Sequence, residues 1–323
     1  MITSPRPSAT PLPQARGKLF SLICISPPSP CGRGVRGEVV ARGTPNFIYG
    51  GVLKYRILQI LLLCFSLSFS ADKTVVSIPS PSMKKNFNAT IITPKEYKSC
   101  NKRFSTIYLL HGYSGDYATW ARISPLDEYA DSFHVVFVCP DGNYNSWYID
   151  SPVKTASKFE TYIAKEVVAF VDSVFRTWAS ASGRAIIGSS MGGHGATTLL
   201  ARHPDLFCGA GSISGIMDLT EFPGEWDMAE VLGNYGQNAA QWSDNSFFFL
   251  LEKLAGKNKT IILDCGTSDF ALPGNRKTHQ KLLALGIPHE YYERQGSHSP
   301  LYARKVLGFH VKYLSGILLK PGN

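Results

Sequence analysis

The sequence predicts an α/β fold in which helices cover both faces of a mostly parallel central sheet. Two observations predict it. From about residue 72 onward, apolar runs typical of buried strands alternate with segments whose apolar residues recur at helical spacing. In addition, the turn Gly188-Ser189-Ser190-Met191-Gly192 joins a strand-like run at 184–187 to a helix-like segment. Since about 250 residues suffice for one such domain, we place a single domain at 72–323.

The predicted elements follow one another in a regular order. Polar alternation in the first two strands, 74–78 and 87–92, is typical of an antiparallel edge pair. The segment 215–258 interrupts the later alternation, and we interpret it as a short helical insertion over the edge of the sheet where ligands bind. The other elements are strands at 105–110, 134–139, 184–187, 207–213, 259–264 and 289–293, and helices at 127–131, 159–178, 191–203, 275–285 and 301–314.

Charge is concentrated at the start of the chain. The net charge is +9, but residues 1–70 alone hold eight basic residues and one acid. No basic stripe with interleaved aromatic residues follows, so the charge does not indicate nucleic-acid binding. Residues 1–52 are rich in Pro, Gly, Arg and Ser, and we predict a disordered leader whose start is assigned too early.

Residues 53–71 have the pattern of a secretory signal peptide. Lys54 and Arg56 precede the apolar run 57–65, and Ser68-Phe69-Ser70 fits a small-x-small cleavage site. The run is shorter than the ~20 apolar residues that span a bilayer, so we expect no stable membrane anchor. This pattern predicts a secreted or periplasmic protein.

The cysteines and histidines show no metal-ligand spacing, so we expect no metal site. Cys139 and Cys265 lie in apolar runs and are predicted to be buried thiols. An oxidising compartment permits one or two disulfides among the four cysteines after residue 71, with no pairing indicated. The sequence also permits a homodimer and does not indicate the oligomeric state.

The Gly-x-Ser-x-Gly turn indicates a nucleophile. A serine on a tight strand-to-helix turn is held in an exposed, strained position above the sheet, and the flanking glycines remove Cβ atoms that would collide there. The helix that begins next adds backbone N–H groups and the positive end of its dipole. Ser190 is therefore predicted to be a nucleophile rather than a surface hydroxyl.

The nucleophile needs a base and an acid that orients the base. His298 lies in the loop between the last predicted strand and the last helix, where a base would reach back to Ser190. Two acids follow the penultimate strand. Asp264 lies within the strand register and is interpreted as structural, whereas Asp269 lies in the loop beyond it and is preferred as the catalytic acid.

Two backbone N–H groups are needed to stabilise an oxyanion. We assign one to Met191, the residue after the nucleophile, and the other to Tyr113, in the loop that follows the strand 105–110. Gly112 permits the backbone to approach closely there. Each such donor typically contributes about 3 kcal/mol to transition-state stabilisation.

These motifs together resemble the esterase D family, which includes S-formylglutathione hydrolases, tributyrin-type carboxylesterases and feruloyl or acetyl-xylan esterases, and is similar to the mycolyltransferases. The resemblance covers roughly residues 72–318. It implies an α/β-hydrolase fold, a Ser190–Asp269–His298 triad and no cofactor. Pro300 departs from the family, in which tryptophan is common two residues after the histidine. The resemblance rests on Leu109–Gly115 with Trp120, Pro140–Gly142 with Ser146–Tyr148, Gly188–Ala196, Cys265–Asp269 and Gly296–His298.

The substrate class follows less directly. Asn143, Trp147 and Tyr148 in one loop and Trp226 in the insertion offer aromatic faces and an amide for substrate binding. With the signal peptide, they favour an extracytoplasmic serine carboxylesterase that acts on short-chain acyl esters or on carbohydrate-linked acetyl or feruloyl esters. Its substrate would be a small-molecule or carbohydrate ester. A thioesterase, an acyltransferase and a non-catalytic carbohydrate-binding relative remain as alternatives.

Overall fold

The computed structural model describes residues 70–320. The predicted leader at 1–52 and nearly all of the predicted signal peptide at 53–71 lie outside these residues. The described part of the chain forms one eight-stranded sheet with helices against it. Its strands are β1 (Asp72–Ser80), β2 (Lys85–Thr93), β3 (Ser105–Leu110), β4 (Val135–Pro140), β5 (Arg184–Ser189), β6 (Gly209–Ile213), β7 (Thr260–Gly266) and β8 (Glu290–Arg294).

The strand order is β1-β2-β4-β3-β5-β6-β7-β8. β1 pairs antiparallel with β2, and β2 antiparallel with β4, which confirms the predicted edge pair. All pairings from β4 across to β8 are parallel. The carboxyl ends of β3, β5, β7 and β8 therefore meet at one edge of the sheet, where open α/β folds bind ligands.

Helices pack against the sheet from both sides. Alternate residues of β3 enter two separate apolar clusters, Tyr108 and Leu110 in one and Ile107 and Leu109 in the other, as the two-residue period of a strand requires. The helices are α1 (Thr119–Ile123), α2 (Leu126–Phe133), α3 (Phe159–Thr161, Tyr162–Val167 and Val168–Val174), α4 (Met191–Arg202), α5 (Met228–Leu232), α6 (Tyr235–Asp244), α7 (Phe247–Leu250), α8 (Leu272–Ala284) and α9 (Pro300–Ser315).

The long helix predicted at 159–178 is shorter in the structure. It contains a π-helical segment, Tyr162–Val167, and ends at Val174. Phe175 is extended, and the Trp178 amide donates to the Phe104 carbonyl at 3.0 Å. The predicted helix was too long because the helical spacing of apolar residues continues past Val174. The residues that follow pair with the segment around Phe104 instead of extending the helix.

The segment 215–258 is built from short helices, as predicted. Most of its large side chains, including Trp242 and Phe247, are fully buried in the core. Trp226 and Asp227 instead lie beside the carboxyl edge of the sheet, where the Tyr113 hydroxyl donates to Asp227 Oδ2 at 2.6 Å. The insertion therefore serves mainly as core packing and only locally as a cover for the site.

Other features of residues 70–320 bear on the sequence predictions. Cys139 and Cys265 are buried, as predicted, and the four cysteines of this part of the chain are free thiols. No helix there combines the length and apolar character needed to cross a bilayer. Within the same residues, no three His, Cys, Asp or Glu side chains are grouped as metal ligands would be.

Candidate active site

Ser190 occupies the turn between β5 and α4 in a strained backbone conformation. Its φ of 55° and ψ of −119° lie outside the regions that non-glycine residues commonly adopt. The Ser190 amide donates to the Ile213 carbonyl at 2.9 Å, which ties the turn to β6. The surrounding structure holds this strained conformation in place.

The two outer glycines of the motif are required by close backbone contacts. A Cβ atom on Gly188 would lie 2.0 Å from the Gly192 carbonyl oxygen. A Cβ on Gly192 would lie 2.2 Å from the carbonyl oxygen of Leu110, in β3. No side chain fits at either position without displacing backbone, which accounts for the Gly-x-Ser-x-Gly pattern.

The structure brings the three predicted triad residues together. The Ser190 Oγ lies 2.8 Å from His298 Nε2, and His298 Nδ1 lies 2.9 Å from Asp269 Oδ1. In a neutral imidazole, Nδ1 then donates to the carboxylate while Nε2 accepts the serine proton. This is the arrangement in which a histidine acts as a general base toward a serine.

Asp269 is held as an anion. Its side chain is fully buried, and Oδ1 also accepts the Ala271 amide at 2.9 Å. Burial alone raises the pKa of Asp269, but hydrogen bonds from His298 and the Ala271 amide outweigh it, so the pKa lies below its ordinary value. The carboxylate can therefore orient the imidazole and stabilise its protonated form.

The loops that carry Asp269 and His298 are joined by backbone hydrogen bonds. The Thr267 amide donates to the Arg294 carbonyl at 2.8 Å, and the Ser268 amide donates to the Gly296 carbonyl at 2.9 Å. A Cβ on Gly266 would lie 2.5 Å from the Gly296 oxygen, so the two loops are in direct contact. The separation of Asp269 and His298 is thus fixed by backbone.

The proposed oxyanion donors lie on either side of Ser190. Met191 is the first residue of α4. The amide of a first helical residue has no hydrogen-bond partner within its helix. Tyr113 follows Gly112, and a Cβ on Gly112 would lie 3.5 Å from Ser190 Cβ. The loop after β3 therefore passes directly beside Ser190. The roles of the two amides stay predictions.

His111 fixes that loop. The Gly142 amide donates to His111 Nε2 at 2.8 Å, and Nδ1 donates to the Gly112 carbonyl at 2.8 Å. Burial lowers the pKa of His111, so the ring is neutral with its proton on Nδ1. These two bonds set the orientation of the peptide that precedes Tyr113.

A cavity of about 490 Å³ opens at Ser190 and His298. Phe270 forms part of its wall, with its ring centroid 4.3 Å from that of His298 and 5.4 Å from that of Trp226. Sequence reasoning missed Phe270, although its position directly after Asp269 was a usable signal. The other lining residues are Gly112–Gly115, Thr119, Arg122, Ile123, Ser189, Ile213, Ser214, Ser299, Pro300 and Ala303.

The four predicted substrate-binding residues occupy different places. Trp226 lines the cavity, but Trp147 and Tyr148 are each only 1% exposed. The Trp147 ring packs against Trp226, and the Tyr148 hydroxyl donates to the His111 carbonyl at 3.0 Å. Asn143 lines a second, separate cavity of about 530 Å³. Trp147 and Tyr148 thus pack behind residues of the site and do not line the cavity.

Comparison with known proteins agrees with this geometry. A family model described as Esterase matches residues 80–307. The chain belongs to this esterase family. It is 28% identical over 261 residues to the acetyl esterase of Caldicellulosiruptor saccharolyticus, covering 75% of this chain and 97% of that protein.

Other relatives cover less or share only the fold. An esterase of Mycobacterium tuberculosis is 28% identical over 245 residues, which make up 66% of this chain and 52% of that protein, so the chain spans about half of its length. A ferulic acid esterase structure aligns with a TM-score of 0.68 and 24% identity, covering 78% of this chain and 100% of that one. The structure of an S-formylglutathione hydrolase from Agrobacterium tumefaciens aligns with a TM-score of 0.69 and 20% identity, covering 79% of this chain and 98% of that one. The predicted α/β-hydrolase fold is confirmed.

Proposed function

We propose that this protein is a serine carboxylesterase that hydrolyses short-chain acyl or carbohydrate-linked acetyl and feruloyl esters through an acyl-enzyme. The observation that carries the proposal is the continuous chain from Ser190 Oγ through His298 to Asp269, with links of 2.8 and 2.9 Å, at the base of an open cavity. A serine hydroxyl without an adjacent base is a weak nucleophile at neutral pH.

In the first half-reaction, Ser190 Oγ attacks the ester carbonyl carbon while His298 Nε2 takes the hydroxyl proton. Asp269 stabilises the imidazolium that forms. The carbonyl oxygen becomes an oxyanion between the Met191 and Tyr113 amides. The intermediate then collapses as His298 gives its proton to the leaving alcohol, which leaves the acyl group on Ser190.

In the second half-reaction, His298 accepts a proton from water as the water attacks the acyl-enzyme. The same oxyanion donors act again, and the carboxylic acid leaves when Ser190 regains its proton. Removal of one such donor typically costs about 100- to 1,000-fold in kcat. The chemistry uses only this chain's own side chains and backbone amides.

The cavity supports the substrate class. Its volume of about 490 Å³ lies within the range usual for small-molecule sites. Trp226 and Phe270 are stacked at an interplanar angle of 26° and present aromatic surface beside the nucleophile. Such surface suits an aryl acyl group or the apolar face of a sugar. The names of an acetyl esterase and a ferulic acid esterase among the relatives point in the same direction.

Acyl transfer is a second candidate, because a relative from Mycobacterium gordonae that is 25% identical over 259 residues is named diacylglycerol acyltransferase/mycolyltransferase. Both reactions would use the same acyl-enzyme and differ only in the acceptor. Measuring the ratio of hydrolysis to transfer in the presence of added alcohol separates them. Hydrolysis is supported if added alcohol does not reduce the rate at which the carboxylic acid is released.

The proposed site of action is outside the cytoplasm, on the basis of the signal-peptide pattern at 53–71. Expression of the full chain in a secreting host, followed by N-terminal sequencing of the exported protein, tests this. A mature terminus near Ala71 supports export. An uncleaved protein retained in the cytoplasm contradicts it.

The main test compares the full chain with Ser190→Ala on p-nitrophenyl acetate, p-nitrophenyl butyrate, methyl ferulate and acetylated xylan. The esterase proposal predicts that Ser190→Ala lowers every detectable rate to the background level. Equal rates for the two proteins would exclude it. Activity confined to the p-nitrophenyl esters would retain the esterase and exclude the carbohydrate-linked substrates.

A further inference from the structure

A second carboxylate, Asp264, lies near the site and takes no part in the steps above. It is in β7, and its side chain is completely buried. Arg294 Nε donates to its Oδ2 at 2.7 Å, and the Tyr302 hydroxyl donates to its Oδ1. A fully buried carboxylate is costly unless it is paired and hydrogen-bonded, and both of its oxygens meet that condition here.

The two partners of Asp264 lie on either side of His298 in the chain. Arg294 is the last residue of β8, and Tyr302 lies in the first turn of α9. The intervening segment, 295–301, carries the base. Asp264 therefore joins both ends of the His298 loop to the strand that leads to Asp269.

The Tyr302 ring also contacts the loop itself. A Cβ atom on Gly296 would lie 2.2 Å from the Tyr302 ring, so this ring packs directly on the loop backbone two residues before His298. The Ser299 hydroxyl accepts the Tyr302 amide at 3.2 Å and caps α9. On the other side, the Arg294 guanidinium lies over the rings of Tyr292 and Phe309, 4.5 and 4.6 Å from their centroids.

The charge on Asp264 is balanced by Arg294 rather than by the buried histidine nearby. His310 Nε2 lies 3.9 Å from Asp264 Oδ2, beyond hydrogen-bond distance. Burial lowers the pKa of His310 to about 3, so this ring is neutral. Burial also raises the pKa of Asp264, and the hydrogen bonds from Arg294 and Tyr302 oppose that rise.

We propose that Asp264 is a positioning residue for His298, acting through Arg294 and Tyr302 to hold the histidine loop at the distance that both Ser190 and Asp269 require. The inference rests on the proposed function, since it assigns His298 as the base. Displacement of a catalytic group by about 1 Å can lower a rate by about 100-fold. A network that fixes both ends of a short loop limits such displacement.

Two variants test the network. Asp264→Asn keeps the side-chain volume but removes the charge. It also places an amide N–H donor against either Arg294 or Tyr302, which are themselves donors. Tyr302→Phe removes one hydrogen bond and keeps the ring on Gly296, so it is the milder change and decides the question if Asp264→Asn does not fold. The matched control is Asp172→Asn, which breaks the pairing of Asp172 with Arg184, a pair only 16% and 6% exposed. Arg184 begins β5, at the end opposite Ser190.

The readouts are kcat and KM on p-nitrophenyl acetate, the acidic limb of the kcat/KM pH profile, and the proton resonance of His298 Nδ1. We expect Asp264→Asn to lower kcat about 10- to 100-fold with KM within about twofold. The kcat/KM pH profile should differ from that of the parent protein, and the Nδ1 resonance should broaden, because the His298 ring loses its fixed contact with Asp269. Tyr302→Phe should lower kcat about threefold to tenfold, and the double variant no further than Asp264→Asn alone.

A merely structural role gives a different pattern. Both Asp264→Asn and Asp172→Asn would then lower the unfolding midpoint, while kcat per folded molecule, the pH profile and the Nδ1 resonance stayed as in the parent protein. That result overturns the proposal. Failure of the proposed function is separate, because it appears as equal rates in the parent and Ser190→Ala, and the Nδ1 resonance still reports whether Asp264 holds His298 against Asp269.

Discussion

The ring of Phe270 lies against the imidazole of His298, with centroids 4.3 Å apart and an angle of 31° between the planes. Phe270 follows Asp269 directly, so the acid and this ring contact the same histidine from one short segment. The ring is nevertheless 46% exposed. The Phe270 ring thus both packs against His298 and presents a surface to whatever enters the cavity.

Phe270→Ala should therefore change substrate preference more than it changes the chemical step. We expect KM for methyl ferulate to rise about fivefold to tenfold, because aromatic pairs contribute about 0.5–1.5 kcal/mol beyond area burial. Rates on p-nitrophenyl acetate should change less than about threefold. Phe249→Ala is the control, since Phe249 is 43% exposed and lies outside the cavity lining. Equal effects of the two variants would mean that Phe270 does not contact the acyl group.

Gly192→Ala should damage both the turn and the enzyme. Its Cβ would lie 2.2 Å from the Leu110 carbonyl oxygen, so β3 or the nucleophile turn must move. We expect a loss of about 3 kcal/mol in the free energy of unfolding and a fall in kcat of more than about 100-fold. Denaturant unfolding and steady-state kinetics measure these. Gly224→Ala is the control, because nothing lies within 4 Å of a Cβ there, and a comparable loss in that variant would refute the steric argument.

Asp269→Asn should leave the fold intact and remove most activity. The amide in place of the carboxylate no longer fixes the imidazole with its proton on Nδ1, and we expect kcat to fall by about 10,000-fold. Steady-state assays measure this fall in kcat, and the rate of Ser190→Ala gives the background level. Because the pKa of Asp269 is held below its ordinary value, Asp269 should be ionised at neutral pH in the parent protein. A decrease of less than about tenfold would assign the acid elsewhere.

His310 predicts how stability depends on pH. Burial lowers its pKa in the folded protein to about 3, compared with an ordinary value of 6.5. As the pH falls below that ordinary value, the unfolded chain binds a proton that the folded protein does not, so stability decreases by up to about 1.4 kcal/mol per pH unit from this group. His310→Leu should flatten the decrease between about pH 6 and pH 4 in chemical denaturation. Identical slopes in the parent protein and in His310→Leu would contradict the argument.

Much of the fold and the grouping of Ser190, Asp269 and His298 could be predicted from the sequence, because both depend on local patterns. A continuously apolar run, a Gly-x-Ser-x-Gly turn and the order Ser190, Asp269, His298 each carry their information within a few residues. The choice of Asp269 over Asp264 followed from its place beyond the strand, and in the structure Asp264 does pair with Arg294 and Tyr302 instead.

What the sequence did not predict depends on contacts between distant segments. Trp147 and Tyr148 were interpreted as surface for substrate, but the loop turns them inward, where Tyr148 packs against Gly195 and bonds to His111. The end of α3 at Val174 depends on pairing with Phe104. Neither partner can be identified from the neighbouring sequence, because a large aromatic residue serves equally well in a core or beside a cavity.

The most direct test is covalent capture of the acyl-enzyme. The full chain is mixed with excess p-nitrophenyl acetate, quenched in acid within the first turnovers and analysed by intact mass and peptide mapping, with Ser190→Ala treated in parallel. The account predicts a burst of p-nitrophenol of about one equivalent when deacylation is the slower step, and one acetyl group on the peptide that contains Ser190. An acetyl group on another residue, or the same labelling in Ser190→Ala, would contradict it.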